Sequence, residues 1–222
     1  MKKYAVIVAG GSGSRMNTAT PKQFLLLKGK PVIYYTLNAF LQAYNDIEII
    51  LVLPKEHLPK GQKIINEYFS KNSIQIVAGG DTRFNSVKNG LQLVKEESIV
   101  FVHDGVRCLL TTNLIHRCYG TAVKHGSAIP VIDSKDSVRI VQGETNEAID
   151  RNKIKLVQTP QTFAGSILLK AFDCEYKSSF TDEAAVVEDF GATIHLVSGE
   201  ADNIKITNPI DLIVAEKILE TK

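Results

Sequence analysis

Val8-Ala9-Gly10-Gly11-Ser12-Gly13-Ser14-Arg15-Met16-Asn17-Thr18-Ala19-Thr20-Pro21-Lys22-Gln23 is the stretch on which the reading of this chain turns. The apolar run Tyr4-Ala5-Val6-Ile7-Val8 has the composition of a buried strand. It leads directly into Gly10, Gly11 and Gly13, which lack the side chains that hinder a sharp turn. Such a turn lines up backbone N–H groups around an anion and lets a phosphate approach the main chain. Arg15 and Lys22 add two cations to the same stretch, so polyphosphate is the expected guest.

Two better-known phosphate loops do not fit. A Walker loop requires Gly-Lys-Ser/Thr after a glycine and four residues, and from Gly10 or Gly11 that spacing falls on Arg15 or Met16. A dinucleotide fingerprint starting at Gly11 and Gly13 needs a third glycine where Met16 stands, and it needs an acidic residue about 20 positions further on, where the chain has none. The competing reading is a glycine-rich turn with incidental basic neighbours.

Working outward, apolar strand-like runs alternate with segments of helical period. A helix is expected over 31–44, where Val32, Tyr35, Leu37, Phe40 and Leu41 fall mostly on one face, then a strand over 47–53. A second helix carries Ile64, Ile65, Tyr68 and Phe69; a strand over 74–78 and a helix over 87–94 follow, separated by Gly79-Gly80-Asp81. The next units are a strand over 99–103, a helix over 113–124 and a strand over 127–132. This β-then-α succession predicts an α/β fold, a doubly wound and mostly parallel sheet with helices on both faces.

From 133 to 150 the apolar content drops, and Val138, Ile140 and Val141 alternate with polar residues around Gln142-Gly143-Glu144. That pattern predicts a hairpin leaving the globule, an arm spanning about 133–153 within one domain over 1–222. A lone two-stranded ribbon is marginal in water, so a second copy of the chain is the simplest partner, with an exposed loop as the alternative. Beyond it a strand is expected over 154–157, helices over 166–172 and 182–189 with Thr181 as cap of the second, and a strand over 193–197. A last helix follows Asn208 and Pro209.

With 44% hydrophobic and 23% charged residues over 222 positions, the chain can bury a full core. A net charge of +2 with no long basic run does not imply nucleic acid as a partner. No apolar stretch approaches the roughly 20 residues of a membrane span. The run after the two N-terminal lysines ends at Gly10, too soon for a signal peptide, so a cytoplasmic protein is expected. Cys108, Cys118 and Cys174 are odd in number and widely spaced, which predicts free thiols. The five histidines show no metal-ligand spacing.

In a doubly wound sheet the ligand lies at the carboxyl ends of the strands. There Val8 leads to the glycine stretch, Ala78 to Gly79-Gly80-Asp81-Thr82-Arg83, and His103 to Asp104-Gly105-Val106-Arg107. Asp104, following an apolar run, is a candidate magnesium ligand, because a hard carboxylate oxygen suits a cation already bound to triphosphate. A helix or turn cap is the other reading of that position.

AGGSGSRM, PKQ, GGDTRFNSV, VHDGVR, DRN, QTPQTF, TDEA and ADNIKIT, in that order along nearly the whole chain, resemble the 2-C-methyl-D-erythritol 4-phosphate cytidylyltransferase family. The resemblance implies a Rossmann-like nucleotidyltransferase fold, the reaction of CTP with a polyol phosphate to give a CDP-alcohol and pyrophosphate, Mg2+, and a homodimer clasped by β-arms. It also implies roles for individual residues. Arg15 and Lys22 match the family's transition-state cations; Ala9, Gly10, Gly11, Gly80, Asp81 and Ser86 match its cytidine and phosphate contacts, with Gly13 in the same loop. Asp104 and Arg107 fall in its acidic metal motif. Arg151 and Lys205 match the residues that position the alcohol phosphate, and Thr181 and Asp202 lie in its substrate loops.

Where the family most often has Asp-Ala-Ala-Arg-Pro, this chain has Asp104-Gly105-Val106-Arg107-Cys108, and Gly-Val there is also similar to ribitol 5-phosphate cytidylyltransferases. Asp150-Arg151-Asn152 and Thr181-Asp182-Glu183-Ala184 favour methylerythritol phosphate. A nucleotide-binding module without catalysis and an NAD-linked oxidoreductase are the readings from other classes. Arg15, Lys22 and Lys205 speak against the first and the failed fingerprint against the second.

Overall fold

A computed structural model describes residues 1–11, 16, 20–70 and 72–221. The sheet forms around β1 (Lys2–Val8), which pairs in parallel with two later strands. A two-residue hairpin, β2 (Leu26–Leu27) and β3 (Lys30–Pro31), turns through Lys28 and Gly29, both at positive φ, and delivers the chain to α1 (Val32–Ala43). Then come β4 (Ile47–Leu53), α2 (Leu58–Tyr68), β5 (Ile74–Ala78), α3 (Arg83–Leu91), β6 (Ser98–Asp104), α4 (Thr112–His125) and β7 (Ser127–Asp133). β5, β4, β1 and β6 lie side by side and parallel.

Side-chain alternation along the strands explains the two helical layers. Ala5, Ile7, Ile49 and Leu51 point to the face covered by α1, α2 and α4, packing on Leu37, Phe40, Ile64 and Ile115. Tyr4, Val6, Ile50 and Val52 point to the other face, covered by Phe84 and Val87 of α3. Strands buried on both faces read as continuous apolar runs, which is why β1, β4 and β6 were visible in the sequence.

After β7 the chain leaves the globule as β8 (Val138–Gln142) and β9 (Thr145–Ile149), which pair with each other in a separate two-stranded sheet around Gly143. Val141 on this arm is 71% exposed. The chain returns as β10 (Lys155–Val157) and β11 (Gln161–Ala164), both antiparallel to β7, with β11 also antiparallel to β6. α5 (Gly165–Ala171) and α6 (Glu183–Asp189) complete the second helical layer with Leu168 and Val187. β12 (Leu196–Ser198) pairs parallel to the outer side of β7, where Val131 C=O meets Gly199 N–H at 2.8 Å. The last helix, α7 (Pro209–Glu220), packs with β2 and the turn after β6 through Leu27, Val106, Cys108 and Ala215.

The doubly wound, mostly parallel sheet is as expected, with differences in detail. The third helix begins at Arg83 rather than 87, because Thr82 Oγ1 accepts the Asn85 N–H at 3.0 Å and starts it early. Asp182, not Thr181, caps α6: its Oδ1 accepts the Ala185 N–H at 2.9 Å, and a carboxylate is the stronger cap. The strand expected over 193–197 covers Leu196–Ser198. β11 and the β2–β3 hairpin were not foreseen, being too short to show a period. Among the described residues no helix is long and apolar enough to cross a membrane.

Candidate active site

The carboxyl ends of β1, β5 and β6 enclose a cavity of about 290 Å³ lined by Ala9, Gly10, Gly11, Lys22, Gln23, Gly80, Asp81, Thr82, Arg83, Ser86, Asp104, Val106 and Lys205. The first wall follows from β1. Ala9 N–H donates to Val52 C=O, and Ala9 C=O accepts the fully buried Gln23 Nε2 at 2.8 Å, which draws the turn bearing Lys22 onto the glycine stretch. A Cβ on Gly11 would stand 3.8 Å from Lys22 Cε, so the two share one wall.

The second wall needs its glycines for space. A Cβ on Gly79 would sit 2.9 Å from Ser86 Oγ, and one on Gly80 would sit 2.6 Å from Asn85 Cβ. Ser86 Oγ accepts Gly80 N–H at 3.1 Å and donates to Thr82 C=O at 2.9 Å, so its hydroxyl shapes the turn over the pocket.

Asp104 is the buried carboxylate of the pocket. Lys205 Nζ lies 2.9 Å from it, Arg83 Nη2 donates to it at 3.3 Å, and Arg107 Nε stands 3.5 Å away. Burial alone would raise its pKa, but Arg83, Lys205 and Arg107 hold the carboxyl well below the usual carboxylate range. Its backbone is fixed as well: Asp104 N–H donates to Thr159 Oγ1 at 3.1 Å. Thr159 O–H then faces His103 Nδ1 at 2.9 Å, and His103 Nε2 faces Arg107 C=O at 3.2 Å. With Thr159 donating to Nδ1, the proton of the neutral ring is on Nε2, where it is given to Arg107 C=O. Burial pushes the His103 pKa down to about 3.

The structure thus brings Ala9, Gly10, Gly11, Lys22, Gly80, Asp81, Ser86, Asp104 and Lys205 around one cavity. Arg107 stands behind Asp104 instead, its Nη1 donating to Asn203 C=O at 2.8 Å. Thr181 and Asp202 are exposed and lie outside the lining, and Arg151, at the foot of the arm, donates to Lys135 C=O at 3.2 Å. Gly13 and Arg15 fall outside the described residues. Burial pushes the Cys108 thiol up to about 12, so it is no nucleophile at neutral pH.

Sequence reasoning quoted Arg83 and, within Thr181-Asp182-Glu183-Ala184, Glu183, but gave neither side chain a role in the site. Both terminal nitrogens of Arg83 are engaged by the buried Glu183 carboxylate, Nη2 at 3.0 Å. Burial works against the charge on Arg83, and the Glu183 and Asp104 carboxylates override it, raising its pKa. The available signal was a cation one position beyond the helix cap after a glycine turn.

The chemistry of the donors bears on magnesium. Among the described residues no three His, Cys, Asp or Glu side chains cluster as a cage. Mg2+ takes one or two carboxylates together with substrate phosphates and water, so the buried carboxylate of Asp104, with the exposed Asp81 on the same lining, fits a cation arriving on a triphosphate.

Residues 4–221 match the model of the 2-C-methyl-D-erythritol 4-phosphate cytidylyltransferase (IspD) family. The chain is 44% identical over 219 residues to the 2-C-methyl-D-erythritol 4-phosphate cytidylyltransferase of Bacteroides thetaiotaomicron, covering 99% of this chain and 100% of that protein. It is 45% identical to that of Bacteroides fragilis over the same shares. Among solved structures, the 4-diphosphocytidyl-2C-methyl-D-erythritol synthase of Anaerococcus prevotii superposes with a TM-score of 0.84 at 29% identity, covering 99% of this chain and 98% of that one.

Proposed function

The chain belongs to the 2-C-methyl-D-erythritol 4-phosphate cytidylyltransferase family, and from that premise we propose how its residues divide the work. The reaction joins the cytidylyl group of CTP to 2-C-methyl-D-erythritol 4-phosphate and releases pyrophosphate, a step in the non-mevalonate route to isoprenoid precursors.

The alcohol phosphate attacks the α-phosphorus of CTP: a new P–O bond forms and the α–β anhydride bond breaks. No protein nucleophile is required, because a phosphomonoester with a second pKa of about 6 is already deprotonated near neutrality. The obstacle is repulsion between anions, together with charge growing on the α-phosphate and on pyrophosphate. Lys22 and Arg15 meet that charge, and the main chain of Ala9, Gly10, Gly11 and Gly13 cradles the triphosphate. Gly80, Asp81 and Ser86 hold the cytidine. Arg107 supports the nucleotide by keeping Asp104 in place. Lys205 exchanges its Asp104 partner for the alcohol phosphate, assisted by Arg151, Thr181 and Asp202.

Asp104 would hold Mg2+, which when bound neutralises charge on the triphosphate. The chain forms one domain, two chains join through the β8–β9 arm, and the enzyme works in the cytoplasm, in keeping with its free thiols.

The observation that carries this reading is the pocket itself. A glycine turn and the cations Lys22, Arg83 and Lys205 surround one buried carboxylate at the strand ends. The test is turnover of CTP with methylerythritol phosphate or ribitol 5-phosphate, following pyrophosphate. Release with the first and little with the second is expected; a preference for ribitol phosphate would refute the substrate.

A further inference from the structure

Arg83 is held in the pocket wall by a line of buried groups that starts outside the pocket. Gln161, 1% exposed at the head of β11, spends its side-chain amide on the first turn of α6. Its Oε1 accepts the Ala184 N–H at 2.8 Å and its Nε2 donates to Asp182 Oδ2 at 2.8 Å. Asp182 caps the same turn through Ala185 N–H. Between these anchored residues lies Glu183, 1% exposed, whose two oxygens take the two terminal nitrogens of Arg83. Arg83 in turn reaches Asp104. On the far side Phe84 stacks on Phe172 and Phe180, with centroids 4.8 and 5.6 Å apart, so the chain next to Arg83 is anchored too.

Burying the Glu183 carboxylate against the half-buried Arg83 is a poor device for stabilising a fold, since apolar side chains of the same volume often do as well as a buried ion pair or better. Its geometry is what apolar residues cannot supply. A guanidinium forked onto a carboxylate is fixed in plane and position, whereas a lysine on four methylenes is a mobile point charge. A cation fixed before the nucleotide arrives loses little entropy on binding it.

We infer that Glu183 and Gln161 are positioning residues for the cytidylyl transfer, holding the Arg83 guanidinium in the pocket wall as a fixed cation for the bound nucleotide. Neither residue lines the pocket; both act through Arg83. This rests on the transfer activity of the family, and a wild-type enzyme that released no pyrophosphate would sink that activity first, separately from any comparison among variants.

The test is a pair of double-mutant cycles. Glu183→Gln and Gln161→Met are each expected to lower kcat/KM for CTP by on the order of tenfold, the scale of one misplaced charge-assisted hydrogen bond. In an Arg83→Gln background the same changes should cost less than about twofold, because no guanidinium is left to place. A purely structural role would lower the thermal midpoint and give equal losses in both backgrounds; that result overturns the inference, as does unchanged kcat/KM in the single variants. If Glu183→Gln does not fold, the Gln161→Met cycle, which leaves the Arg83–Glu183 pair in place, decides by the same criterion.

Discussion

The roles proposed for Lys22 and Asp104 differ, and single substitutions should separate them. Lys22→Ala is expected to lower kcat by on the order of 100-fold with a smaller change in CTP binding if, as proposed, Lys22 answers charge that grows only in the transition state. Stopped-flow binding and steady-state turnover measure the two effects. Asp104→Asn keeps the shape but removes the charge, and should raise the magnesium concentration needed for half-maximal rate. His103 makes a prediction in pH. Its pKa is about 3 in the fold and about 6.5 when unfolded, so the folded chain refuses a proton that the unfolded chain accepts. That contribution is complete above pH 6.5 and is lost on acidification between the two values, at about 1.4 kcal/mol per pH unit. Urea midpoints at pH 7 and 5 should therefore differ less in His103→Gln than in the parent; an equal difference would remove His103 from the acid response. At this scale the convergence of Gly10, Gly11, Gly80, Lys22 and Asp104 on one cavity was legible, because each stands on the stretch that follows the carboxyl end of an apolar run. Arg83 was not, because its meaning depends on Glu183, which stands 100 positions away in sequence.

At the level of elements, the interior strands and their covering helices could be read from the sequence, since each buries a run long enough to show its period. β11 could not: its four residues follow a proline, and their strand character comes from lying between β6 and β7. The start of α6 illustrates the same limit. Thr181 and Asp182 are both good caps in sequence, and beside the stronger carboxylate cap of Asp182 stands a tertiary hydrogen bond from Gln161 that the local sequence does not show. Asp182→Ala should accordingly lower stability by about 1 kcal/mol or more, and Thr181→Ala by much less, in chemical denaturation. The turn after β6 is tighter still. A methyl on Gly105 would meet Ile33 Cδ1 at 2.8 Å and Ala9 Cβ at 2.9 Å. Gly105→Ala should lower the melting temperature and disturb the Ala9 wall, visible as weaker CTP binding.

At the scale of the molecule, the β8–β9 arm carries Arg151 at its foot, away from the cavity lining of its own chain. If Arg151 serves a neighbour's site, mixing inactive Arg151→Ala chains with inactive Lys22→Ala chains should restore activity, because one site of each mixed dimer carries neither lesion. Verified mixed dimers that stay inactive would confine Arg151 to its own chain. The pairing of Lys155 with Asp133, at the point where the arm departs and returns, has a consequence in time. The large sheet is closed by β7 and β10 of the same chain, so it can be finished before a second chain is met. If two chains join through the arm as proposed, assembly is a first-order step followed by a second-order one. Diluting the refolding chain about tenfold should leave the appearance of sheet signal unchanged while slowing the return of turnover, since only the encounter between chains depends on concentration.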